Sequence, residues 1–134
     1  MRTGLTRILL IATAVAEGPL GLTLLVLPAV PFELLFGVKH SATEALFIGR
    51  IAGAALLAIG IASWCARRDP GTPAQLGLIV GLLVYNITTG VLLGYAGLML
   101  SMKGVALWPG IFAHVVLAVG CIVALVRACS RIPA

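Results

Sequence analysis

A lone acid, Glu17, stands in the middle of the apolar run Ala12–Leu24, ATAVAEGPLGLTL. Counted from Leu5 it lies about twelve residues, or roughly 18 Å, into a hydrocarbon layer about 30 Å thick. An ionisable group at that depth costs about 2.5–3.5 kcal/mol on insertion scales, so it is expected to face a partner or a cavity and not lipid. Three further apolar segments each bring one strongly polar side chain to a similar depth: Arg50, Asn86 and His114. Tyr85 adjoins Asn86 and can extend the cluster. The long stem of Arg50 is expected to carry its guanidinium to Glu17. In that arrangement Arg50 holds an anionic or carbonyl oxygen, Glu17 orients Arg50, and Asn86 and His114 complete the hydrogen bonds. Glu17, Arg50, Tyr85, Asn86 and His114 are therefore the candidate ligand-binding residues, and the expected ligand is lipid-like or quinone-like.

The neighbours of these residues are small. Thr13 and Gly21 share the helical face of Glu17, Gly53 and Ala54 lie beside Arg50, Thr89 and Gly90 beside Asn86, and Gly110 and Ala118 beside His114. Small residues beside polar ones face other helices or a cavity. Two uses compete for the cluster. One is a pocket that binds a polar head group or moves a proton. The other is a hydrogen-bonded knot that fixes helix register. Catalytic constellations are not evident: there is no Ser-His-Asp set, phosphate-cradling loop or paired carboxylate, so an enzyme is not favoured. No metal set is seen. Haem held by His40 and His114 would need both at one depth, and His40 falls in a connection. Asn86-Ile87-Thr88 matches a glycosylation sequon but lies too deep to be glycosylated. Glu33 and Glu44 read as solvated interfacial charges. Cys65, Cys121 and Cys129 have no paired spacing, and Cys121 reads as core packing.

The elements that must position this cluster are transmembrane helices. The 134 residues are 61% hydrophobic and 10% charged, more apolar than a soluble core of that size needs. Four apolar spans are expected, at about Leu5–Leu27, Thr43–Ala66, Ala74–Leu100 and Val105–Val126, making one all-α domain over residues 1–134. Pro19 is expected to kink the first helix, and Pro28 and Pro31 to end it. Between the first two spans, Pro28–Ser41 mixes Phe32, Leu34, Leu35 and Phe36 with Glu33, Lys39 and His40, which reads as a short interfacial segment ended by Gly37. Thr43 and Glu44 give a helix-start signal, Arg67-Arg68-Asp69-Pro70-Gly71-Thr72-Pro73 a turn, and Ser101–Gly104 a tight connection. Gly49-xxx-Gly53, Gly77-xxx-Gly81 and Gly90-xxx-Gly94 mark expected packing faces. Ala14-Val15-Ala16 has the form of a signal-peptide cleavage site, but the apolar character continues unbroken through Val30, so an uncleaved first helix is expected.

The net charge is +5, and its basic residues sit at span ends, which suits membrane orientation and lipid phosphates and not nucleic acid. Arg2, Arg7, Arg67, Arg68, Arg127 and Arg131 fall on one side, Lys39 and Lys103 on the other, so both termini are expected in the cytoplasm. Trp64, Trp108 and Tyr95 at span ends fit an aromatic belt. Membrane lipids are the expected surroundings, with a homo-oligomer or a larger membrane complex as further expected partners.

Phe32-Glu33-Leu34-Leu35-Phe36-Gly37, the run from Arg50-Ile51-Ala52-Gly53 to Trp64, Tyr85-Asn86, and Leu107-Trp108-Pro109-Gly110 to His114 resemble small four-helix bacterial membrane proteins of the DoxX-like group. The likeness covers most of the chain through short, apolar motifs. It implies a four-helix bundle with a pocket in the bacterial inner membrane. It implies no reaction, because that group includes redox-linked subunits and assembly factors. The chain is also similar to small multidrug exporters in length, helix number and a lone acid in helix one, which would make it a dimeric proton-coupled exporter acting through Glu17. It departs from them in its few aromatics, its long first connection and Arg50. A structural or assembly protein without a ligand is the third reading.

Overall fold

A computed structural model describes residues 4–39 and 42–130. The described chain is all helix and connection: α1 (Gly4–Val26), α2 (Ala29–Phe36), α3 (Thr43–Ala66), α4 (Pro73–Leu98) and α5 (Leu107–Cys129). The four long helices have 23 to 26 residues, and at about 1.5 Å per residue each crosses a hydrocarbon layer of about 30 Å. Their outer faces are apolar and exposed: Val91, Leu98 and Phe112 are 66%, 67% and 70% accessible. Such surface suits lipid and not water. The protein is a multi-pass membrane protein built as a four-helix bundle with one short extra helix.

Local signals set the boundaries. α1 runs unbroken through Pro19 and stops before Pro28, which opens α2. Gly37 ends α2 in the left-handed region at φ 73°, and its N–H returns to the Glu33 carbonyl at 2.8 Å. Glycine enters that region without a Cβ penalty. α3 begins at Thr43 as expected, but Ala42 occupies the cap position and no side chain caps it. Thr72 caps α4 by accepting from the Gln75 N–H at 3.2 Å, with Pro73 in the first helical position, where its missing N–H costs nothing. α4 ends at Leu98, two residues short of expectation, because Met99 and Leu100 both donate to the Tyr95 carbonyl and Ser101 turns to φ 56°. α5 starts at Leu107 instead of Val105, after a turn in which Leu107 N–H bonds Gly104 O.

α1 and α3 pack antiparallel with their backbones in contact. A Cβ on Gly21 would lie 2.5 Å from Leu57 N, and one on Gly53 would lie 2.6 Å from Leu25 N. A Cβ on Gly60 would lie 2.9 Å from Gly18 N, so Gly18–Gly60 continues the same close seam. The Gly49-xxx-Gly53 face packs as expected, since Gly49 receives the Phe32 ring and Pro28. The Gly77-xxx-Gly81 face does not: no atom comes within 4 Å of a Cβ at either position. The Gly90-xxx-Gly94 face is engaged at one end only, where Gly90 meets His114 Cβ at 3.7 Å and Gly94 meets nothing.

α4 pairs with α5, and α1 reaches α5 through Leu9, whose methyl touches Gly120. Leu9, Leu10, Ile79, Leu82, Cys121 and Ala124 form the buried core between α1, α4 and α5. α2 covers one end of the bundle. The Leu34 carbonyl accepts from Ala106 N–H at 2.8 Å, and Gly104 lies against the Leu34–Leu35 backbone.

Candidate functional site

Glu17 projects from the buried stripe of α1 that also holds Leu10, Thr13, Gly21 and Leu24, and it is only 2% exposed. The Tyr85 hydroxyl of α4 donates to Glu17 Oε2 at 3.0 Å. The Tyr85 ring stands edge-to-face with His114 of α5, centroids 5.5 Å apart and planes at 81°. Asn86, one residue on and 1% exposed, places Oδ1 2.8 Å from His114 Nδ1. Asn86 Nδ2 donates to the Leu82 carbonyl at 2.7 Å, one turn back. Four of the five candidate residues, Glu17, Tyr85, Asn86 and His114, therefore form one cluster drawn from α1, α4 and α5.

Arg50 is not in it. Its side chain is exposed, and Nη1 donates to the Leu25 carbonyl at 2.8 Å. The expected Glu17–Arg50 pair does not form, and register is the reason. The glycine seam sets Arg50 level with Leu25, about eight residues or roughly 12 Å along the axis from Glu17. Leu25 lies in the last turn of α1, whose carbonyls have no intrahelical partner. α1 has no basic residue there, so Arg50 supplies the cation that satisfies that end of the helix dipole from the neighbouring helix.

The hydrogen bonds fix the direction of the remaining groups. Because Asn86 turns its Nδ2 to the Leu82 carbonyl, it presents Oδ1 to the imidazole, so His114 Nδ1 carries the hydrogen. In the neutral ring Nε2 is then an acceptor. Tyr85 spends its hydrogen on Glu17, and the Thr89 hydroxyl hydrogen-bonds its phenol oxygen. Tyr85 and His114 are half-buried, whereas Glu17 and Asn86 lie behind them and are enclosed. The half-buried side of the cluster thus offers His114 Nε2 as an acceptor, beside a Tyr85 oxygen engaged by Glu17 and Thr89, with a buried acid and a buried amide behind them.

Two more hydroxyls are fully buried. Thr13 Oγ1, one turn before Glu17, and Ser63 Oγ on α3 have no hydrogen-bond partner among the described residues. Gln75 was not singled out in the sequence, yet it is 4% exposed and staples the α3–α4 turn. Its Nε2 donates to the Ala66 carbonyl at 2.7 Å and its Oε1 accepts from Gly71 N–H at 3.0 Å. A polar residue two positions after a Thr-Pro helix start was the only available cue. His40 lies outside the described residues, as do Arg2 and Arg131. The two principal cavities lie away from the cluster. One, of about 230 Å³, is a groove between α1 and α3 beside Trp64. The other, of about 350 Å³, lies at the end of the bundle bearing Arg7, Arg67, Arg68 and Arg127. No known protein family, curated protein or solved structure matches the chain.

Proposed function

We propose that this membrane protein binds a lipid-soluble small molecule bearing a hydroxyl group at the edge formed by Tyr85 and His114. The observation that carries this reading is the orientation of the hydrogen bonds. Glu17 and Asn86 occupy the donors of Tyr85 and His114, leaving Nε2 as an acceptor at a half-buried position, beside a phenol oxygen that Thr89 also bonds. Acceptors recognise an O–H, so within the quinone-like class the reduced quinol is favoured over the quinone. Glu17 and Asn86 act as positioning residues, and Arg50 belongs to the end of α1 instead. An accessory role in a larger membrane complex is compatible with such a site.

The test is a thermal shift of the purified protein with a short-chain benzoquinol, held reduced without oxygen, and with the matching quinone. Stabilisation by the quinol above the quinone is expected, with loss in Tyr85→Phe and His114→Ala and retention in Arg50→Gln. No shift with either compound, or a shift indifferent to Tyr85 and His114, overturns the reading. A structural or assembly role without a ligand is favoured by one observation, that neither principal cavity reaches the cluster. Dimeric export through Glu17 draws less support, because its own chain encloses that side chain.

A further inference from the structure

At the end of the bundle remote from α2, four helix ends meet around a cavity of about 350 Å³, within the size range of small-molecule sites. Arg7 enters from the first turns of α1, Arg67 and Arg68 from the α3–α4 turn, and Arg127 from the last turn of α5. No acidic side chain lines the cavity among the described residues. The floor is apolar, with buried Ile79 beneath the arginines. Gln75 also lines it, and both ends of its amide are tied to backbone groups, so it serves to close the wall.

The arginines are not equivalent. Arg67 stacks on Trp64, its guanidinium carbon 3.6 Å from the ring centroid, and donates to the Trp64 carbonyl. Arg7, Arg68 and Arg127 make no hydrogen bond or ion pair to any protein acceptor among the described residues. Three exposed arginines from three parts of the chain line one cavity, and like charges gathered there repel one another unless an anion sits among them. The guanidinium fork matches phosphate oxygens in pairs. The N-terminal turn of α4 contributes Gln75 and Leu76 to the wall, so the positive end of its dipole adds to the field. A span end is also where lipid phosphates lie.

We propose that this cavity is a phosphate-binding site, separate from the Tyr85–His114 edge, which takes the phosphodiester of an anionic phospholipid or a free phosphate ester. Arg7, Arg68 and Arg127 hold the phosphate oxygens. Arg67, anchored on Trp64, supplies fixed positive charge, and Ile79 with its apolar neighbours meets the first methylenes of a lipid.

Native mass spectrometry of delipidated protein, titrated with phosphatidylglycerol and with phosphatidylcholine, tests this. One phosphatidylglycerol per chain is expected to bind saturably and more tightly than phosphatidylcholine, whose choline the arginines repel. Arg68→Gln with Arg127→Gln is expected to weaken phosphatidylglycerol binding about twenty-fivefold, taking roughly fivefold for each arginine. Lys103→Gln removes the same charge from the other end and leaves binding unchanged. Should the double variant fail to fold by circular dichroism, Arg68→Gln alone, in the turn, carries the test with about a fivefold loss. Displacement of the lipid by millimolar glycerol phosphate assigns the site to a free phosphate ester, and its failure to displace assigns it to the lipid. Equal binding of both lipids, or binding indifferent to Arg68 and Arg127, overturns the proposal.

Discussion

Glu17 and Tyr85 should be energetically coupled, and Glu17 and Arg50 should not. Tyr85→Phe removes the donor 3.0 Å from a carboxylate that is 2% exposed, and nothing replaces it. A buried polar group stranded in this way costs about 1–3 kcal/mol in soluble proteins. Interhelical hydrogen bonds in membranes average only about 0.6 kcal/mol, with a maximum of about 1.7, because the unfolded chain in the membrane also finds partners. The enclosed position of Glu17 places this bond in the upper half of the membrane range, at about 1 kcal/mol or more. Glu17→Leu removes the acceptor, and the double variant replaces both polar groups by apolar ones of similar shape, which is nearly neutral. Tyr85→Phe should therefore be the least stable member of the cycle, and the double variant should recover most of its loss. Unfolding in mixed micelles by dodecyl sulfate titration, followed by far-ultraviolet circular dichroism, gives the four stabilities. The control cycle pairs Glu17→Leu with Arg50→Gln, separated by roughly 12 Å along the axis. That pair should add within the scatter of about 0.3–0.5 kcal/mol shown by independent sites. Additivity of Glu17 with Tyr85, or coupling of Glu17 with Arg50 beyond that scatter, would refute the assignment.

Further predictions follow from the seam, the turn and the end of α1. Gly53→Ala puts a methyl 2.6 Å from the Leu25 amide, and overpacking of that kind costs about 1–3 kcal/mol. Gly81→Ala meets nothing within 4 Å and should stabilise α4 by about 0.5–1 kcal/mol, so the same unfolding assay should give the two changes opposite signs. Gln75→Ala leaves the Ala66 carbonyl and the Gly71 amide without their partner and should cost about 1–3 kcal/mol, read as faster proteolysis of the α3–α4 turn and a lower midpoint. Arg50→Gln should lower stability by only about 0.3–1 kcal/mol and leave the Tyr85–His114 edge intact, which unchanged quinol binding would report.

The membrane architecture was legible because hydropathy and proline act locally. Each span boundary lies within a few residues of its expected place, and the deviations have local causes, such as the paired bonds to Tyr95 O that stop α4 early. Gly37 ended the short helix as read, because the left-handed turn is a property of one residue. The polar cluster was legible in part. Depth along the membrane follows from counting residues, and counting brought Asn86 and His114 to one level, where they bond. Counting failed for Arg50 because depth was measured from the apparent start of each span, and α3 begins beyond the end of α1. The offset between those helices is set by close contact at Gly21, Gly53 and Gly60, which sequence spacing alone does not register. Three small-xxx-small patterns looked alike in the sequence, yet only the first is filled at both positions, and of its two glycines only Gly53 meets another backbone.

That seam also decides the chemistry of Glu17. With α3 held so that Arg50 meets the carbonyl end of α1, the acid has no cation beside it among the described residues, and its partner is a phenol. A carboxylate paired with an arginine would be a fixed structural charge. One paired with a tyrosine, whose ring packs edge-to-face on an imidazole oriented by an asparagine, keeps a neutral partner that an arginine would displace. A shift of the α1–α3 register by one helical turn, about 5.4 Å, would cut the roughly 12 Å separation to about 6–7 Å, which the long Arg50 side chain spans. The glycine contacts therefore keep the acid available to the cluster as well as holding the helices together.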